Sequence, residues 1–281
     1  MKNILLTGSG GFLGSHLKKY LTKYNLFTPR SFELNLLNEA ETTKYLKENN
    51  IEFILHCASC GVRISSDATM DEVAAPNIKM FNNLAKSHIP MITIGSGAEY
   101  DKTNDIVKIK EKDFGKSVPK DPYGYSKYLI SKEIEKYNHI LNLRVFGIYG
   151  ENEDKSRVTT DIITSNLDKK AITLNQNVIF DFIWIEDFCK ITEFFIKNFP
   201  NEKFINVTPT ESVEILELAE IVNNFSTHKS EIIIKNNGFN KEYTGDNSRL
   251  IKYIGDFKFT SYKDGMYDLY NIIKQKKEEI C

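Results

Sequence analysis

Residues Thr7–Gly14, TGSGGFLG, follow an apolar run, NILLT (Asn3–Thr7), and lead into GFLGSHLKKYLTKY, whose Phe12, Leu13, His16, Leu17, Tyr20 and Leu21 fall on one helical face. The order is therefore buried strand, glycine-rich turn, helix. Gly8, Gly11 and Gly14 are spaced G-x-x-G-x-x-G. Gly10 is present too, but Leu13 stands three positions beyond it, so the common G-x-G-x-x-G dinucleotide fingerprint is not met. A turn of this kind can bring backbone close to a pyrophosphate while the helix N-terminus points its N–H groups at the anion. Three glycines alone are equally compatible with a plain bend, and the choice depends on residues far along the chain.

Outward from this turn the first half alternates short apolar runs with longer amphipathic stretches, the rhythm of parallel strands joined by crossover helices. Strands are predicted at NLFTP, IEFILHCAS, PMITIGS and HILNLRVFGIYG. Helices are predicted at NEAETTKYLKENN, NIKMFNNLAKSH and DPYGYSKYLISKEIEKY, the last with Asp121 as N-cap and Pro122 at the first helical position. Beyond about residue 150 the alternation breaks down. A charged loop, ENEDKSR, precedes helices near Asp161–Lys169, Ile185–Asn198 and Ser212–Asn224 and short strands at AITLN, VIFDFIWI and KFINV. The expected architecture is α/β: a Rossmann-type doubly wound parallel sheet over 1–150, and a smaller α/β lobe over 151–281 interleaved with it.

Composition narrows the function classes. With 37 Lys+Arg against 38 Asp+Glu the net charge is -1, which gives no general grip on nucleic acid or an anionic membrane. No apolar run reaches the length of a bilayer span, and MKNILLTGSG turns polar too early for a signal peptide, so a cytoplasmic protein is expected. The four cysteines are Cys57, Cys60, Cys189 and Cys281. Cys57 and Cys60 form a C-x-x-C that could be a redox pair or half a zinc site, but no second Cys/His pair at ligand spacing accompanies it. Reduced thiols and no metal are expected.

Two further stretches carry chemistry. In PYGYSK, Tyr123 and Lys127 are four apart on a predicted helix and share a face. Phenols ordinarily titrate near pH 10 and are weak acids or bases at neutrality; an adjacent ammonium favours the phenolate. In IGSGAEY, Ser96 closes an apolar strand at its carboxyl end, where open α/β sheets bind ligands, and a hydroxyl there can polarise a carbonyl.

Taken in order, these segments resemble the extended short-chain dehydrogenase/reductases, in the branch acting on nucleotide sugars. TGSGGFLGSHL resembles that branch's T-G-x-x-G-F-x-G-x-x-L turn, ELNLLN its D-L-x-D segment beside the adenine, and ILHCAS its V-I-H-x-A-A strand. NIKMFNNL, SGAEY, PYGYSK, LRVFGIYG, FDFIWIEDF and DNSRLIKYIGDF follow in the family's order over nearly the whole chain. The resemblance implies Tyr123 as general acid/base, Lys127 as its partner and a ligand of the nicotinamide ribose, and Ser96 on the substrate oxygen. It also implies a cofactor site of Gly8, Gly11, Phe12, Leu13, Gly14, Arg30, Asn35, Leu36, Ala58 and Ser59, together with Tyr123 and Lys127. Homodimers are common among such proteins and a homodimer is expected.

Departures from the family patterns select among reactions. The 4,6-dehydratases carry an Asp-Glu pair after the catalytic hydroxyl; this chain has Gly97 and Ala98. The 3,5-epimerase/reductases of the GDP-fucose synthase kind have a Cys where Ala98 stands, and no evident His follows FGIYG. Reduction of a nucleotide-linked 4-keto sugar remains as the favoured activity, with 4-epimerisation using tightly bound NAD as the alternative. A non-catalytic dinucleotide sensor is disfavoured because Ser96, Tyr123 and Lys127 are all retained. Arg30 stands near the end of the second strand, where NAD-preferring relatives place an acid, and suits the 2′-phosphate of NADPH. Phe180 replaces an arginine that in many relatives grips the diphosphate, and Gly147 replaces the asparagine of N-V-Y-G. Arg157 and Arg249 are substrate-binding candidates, as is Lys155 for the diphosphate. Trp184 is read chiefly as core filling, with a minor reading as a substrate-stacking ring.

Overall fold

Strand β1 (Asn3–Thr7) is buried at four of its five residues and lies inside a sheet rather than at its edge. In the computed structural model, which describes residues 1–60 and 69–279, it is followed by α1 (Phe12–Tyr20), β2 (Asn25–Phe27), α2 (Glu39–Glu48), β3 (Phe53–His56) and α3 (Met70–Ala85). Next come β4 (Met91–Ser96), β5 (Ile106–Ile109), α4 (Pro122–Ile134), β6 (Ile140–Val145), β7 (Gly147–Tyr149) and α5 (Val158–Leu167). Then follow β8 (Ile172–Asn177), β9 (Ile179–Phe180), β10 (Phe182–Trp184), α6 (Ile185–Lys197), β11 (Phe204–Val207) and β12 (Val213–Glu214). The chain closes with α7 (Ile215–Phe225), β13 (Ile232–Phe239), β14 (Tyr243–Gly245), α8 (Ser248–Ile254) and α9 (Tyr262–Glu278). Cys281 lies outside the described residues.

The chain divides into two compact units. The first comprises Met1–Thr103, Lys110–Val145 and Cys189–Asn206. Its six-stranded sheet has the order β11-β6-β4-β3-β1-β2, with β2, β1, β3, β4 and β6 mutually parallel. The chain goes from β1 outward to β2, then returns to place β3 on the other side of β1. That reversal opens a crevice at the carboxyl ends of β1 and β3, the place where doubly wound sheets take their ligands. One face of the sheet is filled by Leu5, Ile54 and Met91 against Phe81 and Leu84 of α3 and Ile130 and Ile134 of α4. Burying such side chains is the dominant favourable term in folding, about 1.5–3 kcal/mol each.

The second unit comprises Asn104–Ile109, Phe146–Phe188 and Val207–Cys281. It contains a four-stranded sheet of order β12-β9-β14-β5, the pair β10-β7 and the parallel pair β13-β8. Helices α5, α7 and α9 pack on one another, with Phe225 edge-on to Tyr267 and Tyr270.

Two predicted strands prove to be pairs. HILNLRVFGIYG breaks at Phe146, so that β6 joins the central sheet while β7 pairs with β10. Phe146 is held where it is by Gly245, whose missing Cβ leaves room for its ring edge. VIFDFIWI breaks at Asp181, a fully buried carboxylate that accepts Ser212 Oγ at 2.5 Å and the Gly245 N–H at 2.8 Å. Helix α3 begins at Met70, about two turns earlier than NIKMFNNL suggests. Pro76 lies inside the helix and Thr69 is the cap: its Oγ1 accepts the Glu72 N–H while Glu72 accepts the Thr69 N–H. Among the described residues no helix is long and apolar enough to cross a membrane, and no group of three or more His, Cys, Asp or Glu could hold a metal.

Candidate active site

The glycine turn is built around backbone contact. Gly8 has φ +69, and a Cβ on it would fall 2.6 Å from the Ala58 nitrogen at the end of β3. A Cβ on Gly14 would strike the Gly8 carbonyl oxygen, whereas one on Gly11 would find only that oxygen, at 3.4 Å. The Gly11 N–H closes the turn on Gly8 O at 3.0 Å. Gly11 is also the N-cap of α1 and offers no side chain to the helix's first N–H groups. This leaves a cradle with close backbone and uncapped donors, which fits a dinucleotide pyrophosphate. Phe12 and Leu13 form the first turn of α1, with Phe12 edge-on to His16.

The end of β3 is fastened to the turn. Thr7 Oγ1 accepts the Ala58 N–H at 3.2 Å and bonds His56 Nδ1 at 2.9 Å across the β1–β3 ladder. Burial, with the Lys127 charge second, holds His56 down at about 3, so it is a neutral structural imidazole. Burial pushes the Cys57 thiol up to about 12 against the Lys127 charge, which removes it as a redox thiolate; Cys57 and Cys60 are not bridged. Ser59 and Cys60 continue the loop. The Asn77 side chain clamps it by accepting the Cys60 N–H at 2.7 Å and donating to Cys60 O at 2.9 Å. Asn77 also donates to Ser126 Oγ of α4 at 3.3 Å. Sequence patterning marked Asn77 as part of a motif without giving it this task.

Arg30 lies beyond β2 and crosses back over the turn: a Cβ on Gly10 would lie 2.5 Å from its Nη1. Its backbone is fixed by Glu33, which accepts the Arg30 N–H at 2.7 Å. Asn35 is exposed and its Oδ1 accepts the Leu37 N–H, while Leu36 is buried and its carbonyl accepts Asn83 Nδ2 at 2.8 Å.

Ser96 ends β4, and its Oγ accepts the Ala98 N–H at 3.1 Å. Two residues back on the same strand, Ile94 O accepts Lys127 Nζ at 2.7 Å. The Lys127 ammonium lies 5.9 Å from the centre of the Tyr123 ring, and Tyr123 itself is half-exposed. Helix α4 places both as predicted, with Asp121 accepting the Gly124 N–H at 2.8 Å and Pro122 in its first turn. Gly124 is required because a Cβ there would meet Asp121 Oδ2 at 2.6 Å and Ala98 O at 2.9 Å. Ser96, Tyr123 and Lys127 thus belong to one unit together with every residue predicted to hold the cofactor.

The remaining candidates belong to the second unit. Arg157 is the exposed N-cap of α5, Arg249 is half-exposed on α8, and Trp184 is buried with its ring edge-on to Tyr149 at 5.2 Å. Lys155 is exposed in the loop before α5. Phe180 is half-buried, stacked on Phe182 at 4.4 Å and against Tyr243 at 4.8 Å, so the position makes an aromatic packing contact. Gly147 is accounted for by crowding, since a Cβ there would meet Phe182 at 2.6 Å and Asp181 O at 2.7 Å.

Comparison with known proteins places the fold. Over 94% of this chain and 95% of its own length, the UDP-glucose epimerase YtcB of Bacillus subtilis (strain 168), itself uncharacterized, is 26% identical. Among solved structures, the GDP-mannoheptose C4 reductase MlghC of Campylobacter jejuni, with NADP bound, superposes with a TM-score of 0.82 at 20% identity, over 97% of this chain and 98% of that one. The UDP-glucose 4-epimerase of Thermotoga maritima with UDP-glucose superposes with a TM-score of 0.81 at 16% identity, over 98% and 99%. These likenesses show a shared fold. The family model described as NAD dependent epimerase/dehydratase matches residues 4–208, and the chain belongs to that family.

Proposed function

We propose that this protein reduces a nucleotide-linked 4-keto sugar with NADPH, in the synthesis of a surface-polysaccharide precursor. The observation that carries the reading is the catalytic set in the first unit. Lys127 is anchored on the strand that ends in Ser96, and its ammonium faces the Tyr123 ring. When bound, the nicotinamide supplies the hydride for the ketone carbon. Tyr123 protonates the sugar oxygen, Lys127 stabilises the resulting phenolate and holds the ribose, and Ser96 Oγ steadies the oxygen. Gly97 and Ala98 supply neither acid nor base, which leaves reduction of a 4-keto sugar and 4-epimerisation as the chemistries that Ser96, Tyr123 and Lys127 can perform.

The cofactor preference rests on Arg30, whose guanidinium lies over Gly10 of the phosphate turn, where it can meet a 2′-phosphate. The NADP-bound reductase from Campylobacter jejuni is in keeping with this choice. A 4-epimerase with tightly held NAD is the second reading, favoured by the epimerases among the relatives.

The deciding experiment is incubation with NADPH and a panel of freshly made nucleotide-linked 4-keto sugars, following loss of nicotinamide absorbance. Oxidation with one nucleotide series, lost on Tyr123→Phe, is expected. Interconversion of stable sugars without net NADPH consumption overturns the reductase in favour of the epimerase. Unchanged turnover on Tyr123→Phe overturns the catalytic assignment itself.

A further inference from the structure

Behind Ser96 lies a buried polar network that the chemistry above does not use. Glu99, in the 3-10 turn Gly97–Tyr100, is fully buried, and its carboxylate accepts from four groups. Oε1 takes the Ser96 N–H at 2.9 Å and Asn142 Nδ2 at 3.2 Å; Oε2 takes Ser131 Oγ at 2.5 Å and Arg144 Nε at 2.6 Å. Arg144 is equally buried. Its Nη1 donates to Tyr100 Oη at 2.9 Å, and its guanidinium lies against the Phe114 and Phe204 rings. Gly95 exists for this carboxylate, since a Cβ on it would occupy the space of Glu99 Oε1 and of the Asn142 amide.

Ser131 gives the network its reach. It stands four residues after Lys127 and eight after Tyr123 in α4, so the three share one helix face. Helix α4 is therefore bonded to the Ser96 segment at two points one turn apart: Lys127 to Ile94 O, and Ser131 to Glu99. The same carboxylate that receives Ser131 also receives the main-chain N–H of Ser96.

We propose that Glu99 is a positioning residue that ties Ser96 to the helix carrying Tyr123 and Lys127. The proposal rests on the catalytic reading of those three residues. Four donors saturate a carboxylate, and a saturated buried network holds one arrangement of its members. Displacing a catalytic group by about 1 Å can cost on the order of a hundredfold in rate, so a rigid link between hydroxyl and phenol has a direct kinetic meaning. A buried ion pair is otherwise weak evidence for stability, because desolvation offsets much of the attraction.

The test uses the full chain and two measurements. Ser131→Ala cuts the tie to α4 and leaves the Glu99–Arg144 pair in place; Ser131→Thr keeps the hydroxyl. Amide hydrogen exchange of the free protein is followed in peptides covering Met91–Asp101, Pro122–Ile134 and, as reference, Asn3–Thr7. Ser131→Ala should speed exchange roughly tenfold in both of the first two segments and leave the third unchanged, with Ser131→Thr restoring the slow rate. Faster exchange in α4 alone, in all three segments, or in none overturns the link.

The second measurement is a double-mutant cycle on kcat. Ser131→Ala should lower kcat roughly tenfold in the native background and less than twofold in Ser96→Ala, with KM and NADPH affinity unchanged. Equal losses in both backgrounds would mean a merely structural role. If Tyr123→Phe and Ser96→Ala leave turnover untouched, the functional reading fails while the exchange data still decide whether Glu99 joins the two segments. Glu99→Gln, if it folds, should reproduce Ser131→Ala in both assays, and a silent Glu99→Gln overturns the proposal.

Discussion

Acidification from pH 7 to pH 5 should withdraw the stability that one imidazole contributes to this protein. In the folded chain His56 is held at about 3, against an ordinary value of 6.5, by burial first and by Lys127 second. Between those two values the unfolded chain binds a proton that the folded chain refuses, so stability rises with pH across the window. The contribution is fully present above the unfolded value and is lost as pH falls toward the folded one. The loss approaches about 1.4 kcal/mol per pH unit once the unfolded histidine titrates, and amounts to roughly 2 kcal/mol between pH 7 and pH 5. Glu153 acts in the opposite sense. Burial, opposed by hydrogen bonds from Thr159 and Thr160, holds its carboxyl up at about 7, so its contribution is present at low pH and lost as pH rises through that value. The assay must therefore be a difference: urea denaturation of the native chain and of His56→Gln at both pH values. Glutamine does not titrate, and its side-chain amide can pair with the Thr7 hydroxyl as donor or as acceptor. The variant should lose about 2 kcal/mol less than the native chain on acidification. Equal losses would refute the reasoning, since His56 would then bind its proton as readily in the folded state.

Two further outcomes follow from the phosphate turn. Gly14→Ala puts a methyl against the Gly8 carbonyl and should cost about 1–3 kcal/mol together with at least tenfold in NADPH affinity; Gly11→Ala, with its nearest neighbour at 3.4 Å, should change both far less. Thermal denaturation and fluorescence titration with NADPH check the pair, and similar losses for the two variants would contradict the geometry. Arg30→Ala should weaken NADPH roughly tenfold and leave NADH binding unchanged, because one charge-assisted contact to the 2′-phosphate disappears. Equal effects on both cofactors would remove the argument for NADPH.

Local patterning in the first unit was largely legible because each signal had a local cause. NILLT, the glycine spacing and the Asp121-Pro122 cap depend on neighbouring residues alone, and β1, the turn and α4 lie where they were expected. Arg30 stands out by its place after the second strand, and its guanidinium lies beside Gly10. Glu99 and Arg144 were not legible: one sits in the turn after β4, the other on β6, and nothing near either announces a buried pair. The same holds for Asn77, whose partners Cys60 and Ser126 lie 17 and 49 residues away. In the second unit, strands of two or three residues such as β12 and β14 carry too little periodicity to be told from loops. Helix α9 is a different case: its Ser261 cap and the amphipathic spacing that follows are local signals of a helix.

The path of the chain has a consequence for synthesis. The sheet that carries the glycine turn and the proposed catalytic residues is closed on one side by β11, which emerges from the ribosome some sixty residues after its neighbour β6. Until then β6 presents an unpaired edge, the kind of surface on which nascent chains aggregate. A fragment ended near residue 150 would keep every predicted catalytic group and yet carry that open edge permanently. Truncation there should give an insoluble product rather than a minimal enzyme, and chaperone demand should peak while residues 146–203 are being made.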